Sequence, residues 1–341
     1  MPKVTKKGLL NALFLFSVFA LTLWAVFRDQ DLGQIADCLA MADWRFIPPA
    51  MVCVVLFIMG ESAIILYLLR TLGTKARFSH CCLYSFIGFF YSCITPSASG
   101  GQPMQVVAMR KDDVPVAVST VVLAIVTITY KLVLVVIGCV VMLLHPPEIM
   151  SHLDGVEALV YLGLALNVGC IAILLLLVFK PSIVRNSAKA VLGWLNRIRP
   201  LKNPDRINAR LERTMNQYAG TADYYRSHKA VMVNVFVLTL LQRVFLFLVT
   251  WLTYLAFGLS GESLITLLTL QAMISVVVDM LPLPGGMGVS ETLFLQIFLP
   301  IFGSELVLPG MIISRGISYY TQLLLSAVMT VAASFILRKR T

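Results

Sequence analysis

Apolar residues along this chain form long, nearly uninterrupted runs instead of the short periodic stretches of a water-soluble fold. A helix needs about 20 apolar residues to cross a hydrocarbon core about 30 Å thick. The pattern therefore predicts an all-α polytopic membrane protein. About six full spans are predicted, at residues 9–27, 47–69, 116–144, 156–179, 230–258 and 306–337.

Two further apolar regions, 81–109 and 263–303, are interrupted by proline and glycine. The first is broken at residues 95–103 and the second at 281–288. Arms such as 81–95 are short for a crossing, because a helix rises about 1.5 Å per residue. Each region is predicted to be a broken helical hairpin, either re-entrant or made of two short spans. In both cases the two ends of a hairpin lie on the same side of the membrane.

The two hairpins occupy the same place in two similar sets of elements. A span, a hairpin and a span occupy residues 47–144, and the same order returns at residues 230–337. In the predicted topology the chain enters the two sets from opposite sides of the membrane. The sets are therefore expected to form an inverted repeat. Matched Gly/Pro-broken segments in inverted halves point to the central site of a transporter. The pattern predicts a single integral membrane domain over residues 1–341, with residues 181–229 as a cytoplasmic amphipathic linker.

Composition agrees with a membrane class, since 59% of residues are hydrophobic and only 13% are charged. The net charge of +10 would suggest nucleic acid in a soluble protein. Here the position of the cations matters more, because 22 of the 27 Lys and Arg residues fall in segments on one side of the predicted topology. The positive-inside rule then places both termini in the cytoplasm. The plasma membrane is the predicted location. Interleaved basic and aromatic patches are absent from the sequence, so no nucleic-acid partner is predicted.

The predicted linker begins with apolar residues at helical spacing, from Ile183 to Ile198, flanked by Arg185, Lys189 and Arg197. Such a segment is typical of an amphipathic helix on an anionic inner leaflet. A solvated helix that connects two bundles fits the pattern equally well. The sequence leaves both interpretations open.

Ionisable residues inside the predicted membrane region mark a candidate site, because each costs at least about 2.5–3.5 kcal/mol at the centre of a span. Three are cations and three are anions, so their charges balance. One interpretation is that the cations hold an anionic lipid headgroup, and the other is that they form internal salt bridges. The cations are Lys131, Arg243 and Arg315, and the anions are Glu61, Asp279 and Glu291.

The hairpin tips complete the candidate site. A helix that restarts after a break points its partly positive N-terminus inward, which suits a phosphate. The alternative is that each Pro-Gly-Gly segment only kinks a packed helix. The predicted headgroup-binding residues are Pro96, Ser97, Ser99, Gly100, Gly101, Gln102, Lys131, Arg243, Pro284, Gly285, Gly286, Gly288, Glu291, Arg315 and Tyr319, with Glu61 and Asp279 as charge partners.

No catalytic motif accompanies these residues in the sequence. The four histidines fall in predicted loops or at span ends, and there is no Walker loop or Cys/His cluster. We therefore predict no catalytic residue, no metal and no cofactor. The predicted partner is a membrane lipid with a phosphate headgroup, and a separate lipid-modifying enzyme is a further expected partner.

The two tip sequences are similar to those of a known family. Residues 96–103, PSASGGQP, and residues 282–291, PLPGGMGVSE, resemble the membrane region of lysylphosphatidylglycerol synthases, also called the flippase-like domain family. The resemblance covers about residues 10–335. It implies a membrane bundle that moves lipids between leaflets, notably aminoacylated phosphatidylglycerol. It also implies motif positions at Gly100, Gly101, Pro284, Gly285, Gly286, Gly288, Glu291 and Arg315.

Full-length synthases of this family continue into a cytosolic domain that transfers lysine from lysyl-tRNA to the lipid, whereas this chain ends at Thr341. The resemblance therefore implies the translocating part alone. The expected function is a flippase- or scramblase-like translocase for an anionic or aminoacylated phospholipid or a polyprenyl-phosphate lipid. Two alternatives remain: the membrane component of a lysylphosphatidylglycerol synthase (lysyltransferase) system, and a small-anion transporter.

Overall fold

A computed structural model of the protein describes residues 37, 40–95, 98–198, 204–281 and 288–337. These described residues form helices and contain no strand, which confirms the predicted all-α class. The helices are α1 (Ile47–Thr71), α2 (Phe78–Ile94), α3 (Gly101–Lys111), α4 (Val116–Leu144), α5 (Pro147–Leu153), α6 (Glu157–Phe179), α7 (Pro181–Ile198), α8 (Pro204–Ser227), α9 (Lys229–Ala256), α10 (Leu264–Val278), α11 (Val289–Arg315) and, after a π-helical turn (Gly316–Thr321), α12 (Gln322–Ile336).

Five helical segments of the described residues are long and apolar enough to cross a membrane. Four of them are α1, α4, α6 and α9, and the fifth is the run from Val289 to Ala333. Hydropathy predicted the last span at 306–337 as separate from the arm before it, which was predicted to end at 303. The structure agrees, because the backbone of Gly303 is not helical and divides this run into two helical parts, with a φ of 74° in the left-handed region. The span predicted at 9–27 lies outside the described residues.

Helices α1 and α9 form an antiparallel pair. The amide of Gln242 donates to the carbonyl of Phe57 at 3.1 Å, and Asn234 donates to the hydroxyl of Tyr67 at 2.9 Å. Residue numbers rise along α1 as they fall along α9, so the two helices run in opposite directions. Each begins one of the two sets of elements that the sequence analysis identified.

The first broken hairpin consists of α2 and α3. With 11 residues, α3 is about 16 Å long, which is too short to cross a membrane. The bases of the two arms meet where His80 Nδ1 lies 2.6 Å from Asp112 Oδ2, and the Tyr84 hydroxyl donates to the same carboxylate. The chain therefore enters and leaves this hairpin at one end of the bundle, which is the end at which α1 finishes.

The second hairpin consists of α10 and the part of α11 before Gly303. Phe302, at the end of that part, packs edge-on against Tyr254 and Phe257 near the end of α9, with ring centroids 5.7 and 6.4 Å apart. The base of this hairpin thus lies where α9 finishes. Because α1 and α9 are antiparallel, the two hairpin bases lie at opposite ends of the bundle. The tip at residues 282–287 lies outside the described residues.

The segment predicted as a linker folds into α7 and α8. The Tyr218 hydroxyl donates to the carbonyl of Leu177 at 3.1 Å, and the Tyr225 hydroxyl donates to that of Leu68 at 2.8 Å. Tyr225 is fully buried. These bonds fasten α8 to the final turns of α6 and α1, so the α7–α8 unit lies against one end of the bundle.

Gly163 permits the closest approach between α6 and α10. A Cβ placed there would lie 2.7 Å from the carbonyl oxygen of Val276 and 2.9 Å from the Cα of Val277, and both are backbone atoms that cannot rotate away. Gly163→Ala is therefore expected to force the helices apart and to destabilise the protein by about 1–3 kcal/mol. Thermal unfolding in a single detergent measures the change.

Gly169 lies on the same helix and supplies the matched control. A Cβ there meets no atom within 4 Å. Gly169→Ala is expected to leave the melting temperature unchanged or to raise it, because alanine favours a helix over glycine by about 1 kcal/mol. Equal melting temperatures for the two variants would contradict the close approach at Gly163.

Candidate functional site

A cavity of about 400 Å³ lies between the two sets of elements. Its walls come from α1 to α4 on one side and from α9 to α12 on the other, while α5 to α8 do not contribute. Of the predicted headgroup-binding residues, Gln102, Lys131, Arg243, Arg315 and Tyr319 line this cavity, as do both predicted charge partners, Glu61 and Asp279.

The remaining predicted site residues that the structure describes do not line the cavity. Glu291 is adjacent in sequence to Ser290 and is bonded to Arg315, both of which line it. Ser99, Gly100, Gly101 and Gly288 are described but are not part of the lining. The predicted residues Pro96, Ser97, Pro284, Gly285 and Gly286 lie outside the described residues.

Gly100 and Gly101 have a packing role at the start of α3. A Cβ on Gly101 would overlap the hydroxyl of Ser92 and lie 2.7 Å from the carbonyl of Gly88. The N–H of Gly100 donates to the Thr95 hydroxyl oxygen at 2.9 Å, so a neighbouring side chain already uses this donor. These contacts hold the start of α3 against α2, and they agree with the kink-and-packing interpretation of the first tip.

Lys131 and Asp279 form a buried ion pair across the cavity. Their side chains are 9% and 11% exposed. The Lys131 ammonium also lies 3.4 Å from Asn167 Oδ1, and the Tyr130 hydroxyl donates to the Asp279 carboxylate. The pair joins α4 in the first set to the end of α10 in the second. Its charges cancel, which corresponds to the internal salt bridge considered in the sequence analysis.

Arg315 and Glu291 form a second ion pair, with Arg315 Nε 3.0 Å from Glu291 Oε1. The Arg315 guanidinium also lies over the ring of Tyr319, 5.4 Å from its centroid. The π-helical turn begins at the next residue, and such turns are frequent at functional sites. The Tyr319 hydroxyl donates to the carbonyl of Cys93 at 2.9 Å, so it fastens this turn to α2.

Arg243 differs from the other two cations. Its guanidinium carbon lies 3.5 Å from the ring centroid of Tyr130 and 5.3 Å from that of Phe57, so it lies between two aromatic rings. Among the described residues no carboxylate lies within 4.0 Å of it, and its buried Nε has no hydrogen-bond partner there. Glu61, one of the two predicted charge partners, accepts a bond from Gln105 at 2.7 Å and interacts with Arg243 only over a longer distance.

The rest of the polar lining is mostly neutral and was missed by the sequence analysis. Gln105, Gln242, Gln271 and Gln322 all face the cavity, together with Thr127. The Gln271 side-chain oxygen accepts from the Thr250 hydroxyl at 2.9 Å. A signal for these residues exists in the sequence, because a single amide in an apolar helix also incurs a desolvation cost and needs a partner.

The cationic and amide side chains of the lining have the chemistry that suits an anion. The described residues contain no group of three or more His, Cys, Asp and Glu residues that could hold a metal ion. Two of the three cations are neutralised by carboxylates, whereas Arg243 retains donors for a ligand. A volume of about 400 Å³ lies within the usual range of small-ligand sites, about 300–1,000 Å³.

Comparison with protein families agrees with this architecture. The model of one family, described as the transmembrane region of lysylphosphatidylglycerol synthase, matches residues 10–326. The match includes every lining residue of the cavity described above. Comparison with curated proteins found no matching relative.

Proposed function

This chain belongs to the family of lysylphosphatidylglycerol synthase transmembrane regions, and on that premise we propose that it is a flippase- or scramblase-like lipid translocase. Its substrate is an anionic or aminoacylated phospholipid, or a polyprenyl-phosphate lipid, that carries a phosphate in its headgroup. The observation that carries the proposal is the cavity between the helix sets, whose cation Arg243 has no carboxylate within 4.0 Å among the described residues. In this proposal the protein lies in the plasma membrane with both termini in the cytoplasm.

The headgroup phosphate binds to Arg243 in this proposal. A guanidinium forms strong paired bonds with phosphate oxygens, and the aromatic rings beside it fix its plane. The amide groups of Gln102, Gln105 and Gln242 surround the same space. Each amide nitrogen already donates one bond within the protein, and its second hydrogen is the one left for a ligand. The lipid tails stay in the bilayer, since the cavity has the size of a headgroup site.

The arrangement of the two sets supports a mechanism of alternating access. Helices α1 and α9 are antiparallel, and the hairpin bases lie at opposite ends of the bundle. The two sets also contact each other in matching ways. Helix α4 of the first set packs against α10 of the second, where Lys131 bonds to Asp279. The last helical segment of the second set packs against α2 of the first, where Tyr319 bonds to Cys93. In the proposed mechanism the sets form an inverted repeat, and rocking one against the other exposes the site to each leaflet in turn.

The family description also favours a second candidate function, a membrane component of a lysylphosphatidylglycerol synthase system. In that case a separate lysyltransferase modifies the lipid, and this protein presents the substrate to the enzyme or receives its product. The two candidates predict different lipids in a cell that lacks the protein.

Intact lipid profiling of a deletion strain, combined with surface labelling of lipid headgroups, separates the two functions. A translocase is expected to leave the lipid species unchanged and to alter the fraction of one phosphate-bearing lipid exposed on the outer leaflet. Loss of an aminoacylated lipid species would instead favour the synthase component. Unchanged species together with unchanged exposure would count against both.

A further inference from the structure

Helix α7 has one face that packs on protein and one that does not. Towards α8, Arg185 Nε and Lys189 Nζ lie 3.6 and 2.7 Å from the Glu212 carboxylate. The bond from Lys189 holds the pKa of Glu212 below its ordinary value, so this carboxylate remains ionised. The inward side of α7 is therefore a polar contact with α8.

The other side of α7 carries an exposed apolar stripe, formed by Ile183, Val191 and Trp194. These side chains are 40%, 55% and 61% exposed. At about 100° per residue they fall within an arc of about 80°. No described residue covers the stripe, although large apolar side chains in contact with water are unfavourable.

The stripe begins where the apolar surface of α6 ends. Only Lys180 separates α6 from α7. Near the end of α6, Ile173 and Leu176 are 59% and 47% exposed, as expected of a spanning helix that faces lipid tails. Because α8 is bonded to the last turns of α6 and α1, α7 is also held at the level where these spans leave the membrane. Tryptophan is enriched at this level of membrane proteins.

We propose that α7 lies on the surface of the membrane, with the stripe of Ile183, Val191 and Trp194 inserted among anionic lipids. Charge complementarity supports an anionic surface, since residues 180–229 contain eleven Lys and Arg but only three Asp and Glu. The exposed cations Lys180 and Arg197 flank the stripe at its two ends. An apolar stripe bordered by cations is the pattern of an interfacial amphipathic helix.

Fluorescence of Trp194 tests this placement in the full-length protein. The other three tryptophans, Trp24, Trp44 and Trp251, are replaced by phenylalanine, and the protein is placed in nanodiscs of mixed phosphatidylglycerol and phosphatidylcholine. Phosphatidylcholine brominated near the top of its acyl chains is expected to reduce Trp194 emission about twofold, and aqueous iodide is expected to have little effect. In nanodiscs of phosphatidylcholine alone, quenching by the brominated lipid is expected to fall by about half.

The matched control moves the tryptophan one residue back. Gly193 is exposed, and a Cβ there meets no atom within 4 Å. Gly193→Trp combined with Trp194→Phe turns the ring about 100° around the helix, away from the stripe. This ring is expected to respond to iodide and not to brominated lipid. If the triple phenylalanine protein does not stay monodisperse, the difference between the wild-type protein and Trp194→Phe gives the same Trp194 signal.

Three results would overturn the proposal. Strong iodide quenching of Trp194 would make α7 a solvated connecting helix. Protection from iodide without quenching by brominated lipid would place a protein surface, such as a second copy of this chain, on the stripe. Equal quenching by brominated lipid in neutral and anionic nanodiscs would remove the requirement for anionic lipid. None of these results depends on whether the cavity moves lipids.

Discussion

Replacing Asp279 with asparagine is expected to destabilise the folded protein by about 3–5 kcal/mol. Lys131 is nine-tenths buried, and Asp279 is the carboxylate that neutralises it. After the substitution the ammonium keeps only neutral partners, among them Asn167 at 3.4 Å. An uncompensated buried charge is among the most costly changes a protein can undergo, and the low dielectric of the surrounding bundle increases the cost.

Thermal unfolding of the purified protein in one detergent measures this loss. Asp154→Asn is the matched control, because Asp154 is exposed and its substitution is expected to change stability by about 0.5 kcal/mol or less. The double variant Lys131→Met, Asp279→Asn removes both charges and is expected to recover at least part of the loss. If Asp279→Asn unfolds at the same temperature as Asp154→Asn, the ion pair does not stabilise the bundle.

Replacing Arg243 with glutamine is expected to lower the rate of lipid translocation about tenfold or more. The variant keeps hydrogen-bond donors but loses the cation that the phosphate requires, and a charge-assisted bond contributes about 1.5–3 kcal/mol. Arg243→Lys retains the charge but loses the flat stack on Tyr130 and the paired donors, so an intermediate rate is expected. Among the described residues no carboxylate lies within 4.0 Å of Arg243, so Arg243→Gln breaks no direct ion pair and is expected to reduce stability less than Asp279→Asn.

The measurement is the initial rate at which a fluorescent phospholipid changes leaflet in proteoliposomes with equal amounts of protein. Arg206→Gln, an exposed arginine of α8, is the control for loss of one positive charge. A wild-type rate for Arg243→Gln would contradict the role of Arg243 as the phosphate anchor. An equal loss in both variants would point to net charge instead of a specific site.

Hydropathy predicted the long helices closely, because an apolar run in lipid has few other ways to satisfy its backbone. The prediction of 116–144 agrees with α4 at both ends. The predicted end of the second hairpin region at 303 coincides with the break in the helix at Gly303. The π-helical turn after Arg315 was missed, because it is a local backbone change that depends on packing and hydropathy contains no signal for it.

The charged residues of the cavity were identified from their cost in lipid, yet their pairing was not. The sequence analysis named Glu61 and Asp279 as charge partners without assigning either to a particular cation, and the structure pairs Asp279 with Lys131. The choice depends on which side chains α4, α9 and α10 turn towards one another, and this is decided by tertiary packing. Gly100 and Gly101 were predicted as headgroup-binding residues, and their contacts with α2 add a packing role that spacing alone does not reveal.

The central claim is that this protein moves a phosphate-bearing lipid across the bilayer, and the most direct test is dithionite bleaching of proteoliposomes. Dithionite destroys a nitrobenzoxadiazole-labelled headgroup only in the outer leaflet, so protein-free liposomes lose about half of their fluorescence. With the wild-type protein and labelled phosphatidylglycerol or its lysylated form, the loss is expected to approach completeness, and Arg243→Gln is expected to slow it. A loss that stops at the protein-free level with both lipids and with a labelled polyprenyl phosphate would contradict the account.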